Sequence, residues 1–343
     1  MEKLKKAGAV LPGFALALVI ALAASFIEGL LPVHLIGASV IALFIGMIIN
    51  YFRKPAEIFT TGLSFTSKKI LKFAIILLGA SLNISVVLEV GKLSLYVMVF
   101  TLLTCFGIGH FVGRWLKINW KLSSLISAGT GICGGSAIAA IAPVIDADDS
   151  DIAYAMSATF LFDMAMIILF PVMGQALGLS DMAYGLWAGT AVNDTSSVVA
   201  AGYAYSEAAG DFATMVKLTR TLSIIPTVIA FALINAHINR KERGESGEGA
   251  AAKISFLRIF PFFILGFLAL TVVNSFGVIP AVVSGGLKEI SKFLMITALA
   301  AIGLNTSFRD MKKSGIAPML HGFIISALVV IVAIAVEYFM GIV

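Results

Sequence analysis

The sequence predicts an all-α polytopic membrane protein with about 11 transmembrane segments, arranged as inverted five-helix repeats that contain discontinuous or re-entrant segments. Three observations predict this fold class: the composition, the distribution of charge and the internal repetition of the sequence. Of the 343 residues, 59% are hydrophobic and only 13% are charged, whereas a soluble domain carries roughly 25% charged residues. The mean hydropathy is +1.02, so lipid must surround most of this chain.

Apolar stretches long enough to cross about 30 Å of hydrocarbon recur along the whole chain. The predicted segments lie near residues 9–28, 33–53, 69–86, 93–113, 122–142, 152–176, 183–204, 214–238, 257–276, 290–308 and 316–340. Together they make residues 1–343 a single transmembrane transporter domain. Residues 9–28 are an extra N-terminal helix, 33–176 the first repeat and 183–340 the second. The hydrophilic stretch 239–256 is predicted to be a cytoplasmic linker.

Basic residues set the orientation of the segments. With the N-terminus in the cytoplasm, most of the 24 Lys and Arg residues fall on the cytoplasmic side, as the positive-inside rule requires. The C-terminus then lies outside. We expect a multi-pass protein of the bacterial inner (plasma) membrane.

Two internal repeats are visible. Residues 67–91 match residues 291–315 at an offset of 224 (291 minus 67), and the two blocks lie in opposite orientations. Residues 129–140 match 189–200 at an offset of 60 (189 minus 129). This second pair is parallel if both segments cross the membrane fully, and inverted if both are re-entrant hairpins. Inverted repeats are typical of secondary transporters.

The stretch Gly129–Ser136 places glycines and hydroxyl groups inside an apolar segment. Glycine weakens a helix, and a broken helix at membrane depth survives only where protein or a cavity satisfies its backbone. The start of a half-helix attracts anions. The alternative is close helix packing through small residues. The predicted substrate-binding residues here are Thr130, Gly131, Gly134, Gly135 and Ser136.

The stretch Asn193–Ser197 interrupts another apolar segment with five consecutive polar residues. An ionisable residue at membrane depth usually faces a cavity or a partner. Asp194 and Asp163 are therefore predicted to couple transport to Na⁺ or H⁺, the alternative being a structural hydrogen bond of the neutral carboxyl group. Substrate-binding roles are predicted for Asn193, Thr195 and Ser196.

Arg220 and Lys217 are three residues apart and share a helix face. The Arg220 fork suits an oxyanion and is predicted to bind an anionic substrate or to pair with a carboxylate, whereas Lys217 is expected to reach an interface. Asn305 and Thr306 end their apolar segment. They are predicted to line the substrate cavity, with helix capping as an equal alternative.

Several function classes are excluded by the sequence. The two cysteines and four histidines show no metal-ligand spacing. Lys and Arg sit at the ends of apolar runs and form no nucleic-acid patch. We find no Walker lysine motif, nucleophile elbow or HExxH. We therefore expect no enzymatic activity, no metal and no cofactor beyond a coupling Na⁺ or H⁺.

Residues 129–140, with the following Pro143–Ile145, resemble the YeiH-type sulfate exporter family. Asp194–Ser196, Lys217–Arg220 and Ala300–Thr306 extend the resemblance in the same order. Many members of that family carry His where this chain has Asn193. The resemblance implies a distant relationship to the bile-acid symporter and cation/proton antiporter superfamily. It also implies inverted five-helix repeats, discontinuous helices that cross, elevator-type transport and a homodimer.

The sequence thus leads to a secondary active exporter of a small anion such as sulfate, sulfite or an organosulfonate, driven by H⁺ or Na⁺. Its partners are the anionic substrate, membrane lipid and a second copy, without nucleic acid. One alternative is a Na⁺/H⁺ antiporter or a cation-coupled carrier of an organic solute. Another is a membrane sensor or scaffold that transports nothing.

Overall fold

The computed structural model describes residues 2–30, 38–243, 262–306 and 315–343, and this part of the chain contains helices and no strands. The helices are α1 (Glu2–Leu30), α2 (Ala38–Phe52), α3 (Glu57–Phe65), α4 (Leu71–Leu78), α5 (Ile84–Leu103), α6 (Gly109–Trp115), α7 (Trp120–Ala128), α8 (Gly135–Ile141), α9 (Asp149–Ala176), α10 (Asp181–Ala191), α11 (Thr195–Tyr205), α12 (Glu207–Leu222), α13 (Ile224–Arg243), α14 (Phe262–Ser275), α15 (Ala281–Asn305) and α16 (Ile316–Phe339). Three π turns, Thr66–Ile70, Thr104–Ile108 and Gly129–Cys133, and a 3₁₀ turn, Gly79–Ser81, continue some of them.

Within the described residues, five helical stretches are long and apolar enough to cross a membrane, by length and composition. They are Ala9–Leu30, Ile84–Trp115, Ser150–Ala176, Glu207–Ile238 and Ile316–Phe339. Shorter apolar helices add Val40–Phe52 and Phe262–Ser275. The prediction of an all-α protein with several membrane-spanning helices is confirmed.

Six helices pack together into one body, which we call the scaffold: α1–α4, α14 and α15. The helices approach each other through glycines. A methyl group built on Gly62 of α3 would lie 2.2 Å from the carbonyl oxygen of Val10 in α1. Small residues permit such backbone contact. In lipid the hydrophobic effect does not drive helices together, so close packing of this kind holds them in contact.

Two glycine contacts in the scaffold resemble each other. A methyl group on Gly303 of α15 would lie 2.1 Å from the carbonyl oxygen of Leu43 in α2. A methyl group on Gly79 would lie 2.4 Å from the carbonyl oxygen of Phe267 in α14. Gly79 and Gly303 are 224 residues apart, and so are Leu43 and Phe267. The two contacts therefore fall at equivalent positions of the predicted repeat.

The other helices, α5–α13 and α16, form a second body, which we call the core body. Helix α9 lies in its middle and packs against α7, α11 and α16. Contacts between the core body and the scaffold include those of α11 with α2 and α15.

The predicted segment 122–142 folds back on itself. At its start, Lys121 Nζ donates a 2.6 Å hydrogen bond to the carbonyl oxygen of Asp146, which follows α8. The neighbouring Asn119 amide donates to both carboxylate oxygens of Asp151 at 3.1 Å. The chain thus enters and leaves at the same end. We call residues 120–141 the first hairpin.

The predicted segment 183–204 folds back in the same way. The Ser206 hydroxyl donates to Asp181 Oδ1 at 2.6 Å, which joins the two ends of the α10–α11 pair. Tyr184 and Tyr205 stack with ring centroids 3.9 Å apart, and the Tyr184 hydroxyl donates to the carbonyl oxygen of Ala201 at 2.9 Å. We call residues 181–205 the second hairpin.

The two hairpins open at opposite ends of α9. The mouth of the first hairpin contacts Asp151, in the first turn of α9. The mouth of the second is held by the Tyr205 hydroxyl, which donates to the carbonyl oxygen of Leu179, just past the end of α9. A helix of this length, 28 residues, separates the mouths by about 40 Å at 1.5 Å per residue. The two mouths therefore lie at opposite ends of the core body.

Candidate ion and substrate site at the hairpin tips

The tip of the first hairpin turns at a glycine. Helix α7 continues through the π turn Gly129–Cys133, and the chain reverses at Gly134, whose φ of 65° and ψ of −134° suit only glycine. A methyl group on Gly134 would lie 2.9 Å from Asp194 Oδ1. The glycine therefore allows the two hairpin tips to meet.

The tip of the second hairpin is capped by a carboxylate. Helix α10 ends at Ala191, and Asp194 is the N-cap of α11. Asp194 Oδ2 accepts a 2.9 Å hydrogen bond from the backbone N–H of Ser196 and another from the Ser196 hydroxyl. A carboxylate is favourable here because the N-terminal end of a helix carries partial positive charge.

Asp163, at the middle of α9, binds the same tip. Its Oδ1 accepts hydrogen bonds from the backbone N–H groups of Asn193 at 3.0 Å and Asp194 at 3.3 Å. The Asp163 side chain is buried. Two carboxyl groups thus meet at the start of α11.

Arg220 of α12 is 1% exposed and joins both tips. Its Nε donates to the carbonyl oxygen of Gly131 at 2.7 Å, Nη1 to that of Val192 at 2.9 Å, and Nη2 to that of Thr130. The last carbonyls of a helix lack partners within the helix. Arg220 satisfies them at the C-terminal ends of a half-helix in each hairpin.

Lys217 lies one turn earlier in α12 and also binds carbonyl oxygens of both tips. Its Nζ donates to the carbonyl oxygens of Ile132 and Val192, both at 2.9 Å. Lys217 is fully buried rather than placed at a membrane interface. In the sequence, only the three-residue spacing from Lys217 to Arg220 indicates that both side chains bind the same site. That spacing does not show that their partners are carbonyl oxygens.

Some polar groups at the tips lack a partner. Among the described residues, Thr130 Oγ1 and both side-chain polar atoms of Asn193 have no hydrogen-bond partner, although both residues are fully buried. A buried polar group left unpaired costs free energy. These atoms are therefore available to an ion, a substrate or water.

The remaining predicted site residues divide into two groups. Gly135 and Thr195 are half-buried and Ser136 is exposed, so one face of the tips is open. By contrast, Asn305 is exposed and the Thr306 hydroxyl donates to the carbonyl oxygen of Ile302 at 2.8 Å. Within the described part of the chain, neither of these two side chains hydrogen-bonds to the hairpin tips.

Comparison with known proteins places the chain in a family. The family model described as "Conserved hypothetical protein 698" matches residues 12–322. A UPF0324 membrane protein of Clostridium tetani is 57% identical over 328 residues, 94% of this chain and 95% of the relative. The chain belongs to the UPF0324 membrane protein family. A UPF0324 membrane protein of Streptococcus pyogenes serotype M18 is 42% identical over 97% of this chain and 98% of its own length.

A third UPF0324 relative, from Streptococcus mutans serotype c, is 39% identical over 97% of this chain and 98% of its own length. These names state that the relatives are membrane proteins and specify no substrate. The more specific resemblance to sulfate exporters stays a prediction.

In this UPF0324 protein, basic and acidic groups bind opposite helix ends at the tips. The basic side chains of Lys217 and Arg220 donate to carbonyl oxygens at the C-terminal, negative ends of half-helices. The carboxyl groups of Asp163 and Asp194 accept from N–H groups at the N-terminal, positive end of α11.

Proposed function

We propose that this protein is a secondary active transporter that exports a small anion, such as sulfate, sulfite or an organosulfonate, coupled to H⁺ or Na⁺. One observation carries the proposal: two hairpins from opposite ends meet tip to tip beside two carboxylates and unpaired polar groups. Irregular backbone of this kind at membrane depth is characteristic of transporter binding sites.

We propose that the protein is built from inverted repeats. The duplicated contact of Gly79 and Gly303 supports this, as does the opposite entry of the two hairpins. Of about eleven predicted segments, two are then re-entrant, so about nine cross the membrane. The N-terminus lies in the cytoplasm of a bacterial cell and the C-terminus outside.

In this function, Asp194 and Asp163 bind the coupling ion. Asp194 is half-buried and reachable from the open face of the tips, whereas Asp163 is buried behind it. Thr130 and Asn193 offer further oxygen ligands. Gly131, Gly134 and Gly135 keep the backbone uncovered, and Ser136, Thr195 and Ser196 supply polar groups near the substrate.

Arg220 has a different role in this proposal from the substrate clamp that its sequence favours. Its Nε, Nη1 and Nη2 already donate to carbonyl oxygens. We propose that Arg220 and Lys217 hold the two tips together so that the core body moves as one unit against the scaffold. Such movement is the elevator type of alternating access, and a homodimer would fix the scaffold in the membrane.

A Na⁺/H⁺ antiporter is the second candidate function. It is favoured by the arrangement at the tips, because Lys217 and Arg220 donate to carbonyl oxygens and so leave the carboxyl groups of Asp163 and Asp194 to an ion. No observation on the described residues favours a membrane sensor or an enzyme.

Flux in proteoliposomes separates the two candidates. We expect uptake of ³⁵S-labelled sulfate or sulfite driven by an imposed proton or Na⁺ gradient. Asp194→Asn should abolish it, and Asp148→Asn, at an exposed carboxylate at the start of α9, should not. Na⁺-dependent proton movement without any added anion would favour the antiporter. If the proteoliposomes showed no flux of anions, Na⁺ or protons, the transporter proposal would be overturned.

A further inference from the structure

One carboxyl group of the core body is buried far from the hairpin tips and has no partner. Glu337 lies in the spanning stretch Ile316–Phe339 and is 0% exposed. Among the described residues, neither of its carboxyl oxygens has a hydrogen-bond partner. The next two side chains, Tyr338 and Phe339, are 68% and 86% exposed. The last turn of α16 therefore directs this one acidic side chain into the protein.

Glu337 is well separated from the carboxyl groups at the tips. The ring of Phe323 in α16 lies 5.8 Å, centroid to centroid, from that of Phe162, the residue before Asp163. Glu337 follows Phe323 by 14 residues (337 minus 323), which is about 21 Å of helix at 1.5 Å per residue. The two sites are therefore distinct.

The end of the core body at which Glu337 lies is the end where the second hairpin opens. Helix α16 begins beside the first hairpin, where His321 Nε2 lies 3.1 Å from Ser123 Oγ of α7. It then passes the second hairpin, where Trp187 Nε1 donates to the carbonyl oxygen of Val330 at 2.9 Å. The chain from Val330 to Glu337 continues away from the first hairpin.

A tight turn covers this end of α16. The Ile342 N–H donates to the carbonyl oxygen of Glu337 at 3.1 Å, and the Gly341 N–H donates to that of Tyr338 at 3.0 Å. Gly341 has a φ of 70°. These two bonds form a Schellman motif, which folds the second residue after a helix back onto its last turn. Ile342 accordingly packs against the hydrophobic core.

Three physical effects disfavour a negative charge on Glu337. Burial of an ionised carboxylate costs several kcal/mol unless partners repay it. The described residues provide no donor to its oxygens. The C-terminal end of a helix carries partial negative charge, which repels an anion in the last turn. The carboxyl group therefore holds a proton in this conformation.

The elements packed against α16 bring no compensating charge to Glu337. Their described titratable side chains are Glu89, Lys92 and Tyr96 of α5, His110 and Arg114 of α6, Lys121 of α7, Asp151, Tyr154 and Asp163 of α9, Asp181 and Tyr184 of α10, and Cys105 and Cys133 of the π turns. On α16 itself they are His321 and Tyr338. None of these side chains hydrogen-bonds to the carboxyl group of Glu337.

A proton suits this position better than a metal ion does. Metal cations that bind oxygen need about six ligands. The described residues contain no group of three or more His, Cys, Asp or Glu side chains that could hold a metal. Ala333, one turn before Glu337 on the same buried face, belongs to the hydrophobic core. A single carboxyl group in apolar surroundings can bind H⁺ without further ligands.

We propose that Glu337 is a proton-binding site of the core body, distinct from the carboxyl groups at the tips, and that loss of its proton opens the turn Met340–Ile342. An ionised carboxylate needs water or a donor, and water reaches Glu337 when Ile342 leaves its place. Proton binding thus regulates the end of the core body at which the second hairpin opens. The inference does not depend on the proposed transport of an anion.

Infrared spectroscopy of the purified protein in detergent tests the bound proton. Exposed glutamates, with an ordinary pKa of about 4.3, are ionised at about pH 7, so buried groups supply the C=O band of neutral carboxyl groups. We expect Glu337→Gln to weaken this band by the contribution of one group. Glu89→Gln, at an exposed glutamate of α5, is the matched control and should leave it unchanged. An unchanged band in Glu337→Gln as well would overturn the proton site.

Hydrogen–deuterium exchange tests the opening of the turn, because the N–H groups of Gly341 and Ile342 are hydrogen-bonded in it. The native protein and Glu337→Gln are compared at each pH from about 5 to 10, a range that includes the pKa values of buried glutamates. Exchange should be equal at acidic pH. It should then become faster in the native protein by up to about tenfold per pH unit, because opening releases one proton. A ratio that stays constant would overturn the opening.

Two further measurements keep the test decisive if Glu337→Gln does not fold. Glu337→Leu, which has no polar side-chain atom, should show the same exchange as Glu337→Gln. In the native protein alone, exchange at Ile342 should rise with pH more steeply than in an unstructured peptide of the same sequence. A parallel rise in protein and peptide would overturn the opening. All these measurements are made without a transported solute, so failure of the proposed transport does not affect them.

Discussion

Asp163 Oδ1 accepts a 3.3 Å hydrogen bond from the backbone N–H of Asp194, 31 residues later in the chain. This bond ties the middle of a membrane-spanning helix to the tip of a hairpin. It also brings together two carboxylates that a folded protein would ordinarily keep apart.

We expect Asp163 to have two separable roles, one in the stability of the fold and one in ion coupling. Asp163→Ala leaves the N–H groups of Asn193 and Asp194 without their acceptor and should cost about 1–3 kcal/mol for each buried donor. Asp163→Asn can still accept through its amide oxygen and should be closer to the native protein. We expect the melting temperature in detergent to fall from the native protein to Asp163→Asn and again to Asp163→Ala. Asp163→Asn should abolish ion-coupled flux, and a variant that retains coupling would contradict the proposed role of Asp163.

Arg220 should be essential for the assembly of the tips. Arg220→Leu removes the donor to the carbonyl oxygens of Gly131 and Thr130, whereas that of Val192 keeps Lys217. Each buried acceptor left unsatisfied costs about 1–3 kcal/mol. Size-exclusion chromatography in detergent should show aggregation or loss of the monodisperse peak. Arg220→Lys keeps the charge but not the fork, so it should give an intermediate result, and Lys92→Ala should behave as the native protein does.

Gly134 and Gly135 provide a matched pair of substitutions. Gly134→Ala would force a side chain into a positive φ and against Asp194, at a cost of about 1–3 kcal/mol from the backbone alone. A methyl group on Gly135 meets no atom within 4 Å. A thermal-shift assay should therefore show destabilisation by Gly134→Ala only. Equal melting temperatures for the two variants would show that the tips do not meet as described.

Gly303 and Gly285 test the scaffold in the same manner. Gly303→Ala places a methyl group 2.1 Å from the backbone of Leu43, which separates α2 from α15 and should cost about 1–3 kcal/mol. Gly285 lies in the same helix with nothing within 4 Å of the added methyl group. Gly285→Ala should be neutral or stabilising by up to about 1 kcal/mol, the helix propensity of alanine over glycine. Thermal unfolding in detergent measures both.

The breaks in the helices could be predicted from the sequence because their cause is local. The glycines around Gly134 and the polar run at Asp194 disrupt a helix wherever they occur, and the structure places a hairpin tip at each. The direction of the chain after each break could not be predicted. It depends on contacts such as that of Lys121 with Asp146, which polar residues make outside the apolar pattern.

The roles of the basic residues were harder to predict. Arg220 attracts oxygen, but a sequence does not show whether a carboxylate, a substrate or a carbonyl group supplies it. Lys68, Lys69 and Lys72 look like the basic end of a membrane span, because positional rules count charge along the chain. Only the continuity of the helix through Ile70 shows that they lie in the middle of a helix.

The first hairpin depends on a residue that is synthesised much later. The carbonyl oxygen of Gly131 finds its partner in Arg220, 89 residues further along the chain. Unpaired backbone groups are not tolerated in lipid, so residues 120–141 cannot settle at their final depth when they leave the ribosome. They must wait at the membrane surface or within the insertion machinery until α12 arrives. We therefore expect the first hairpin to reach its final position only after α12 has been inserted.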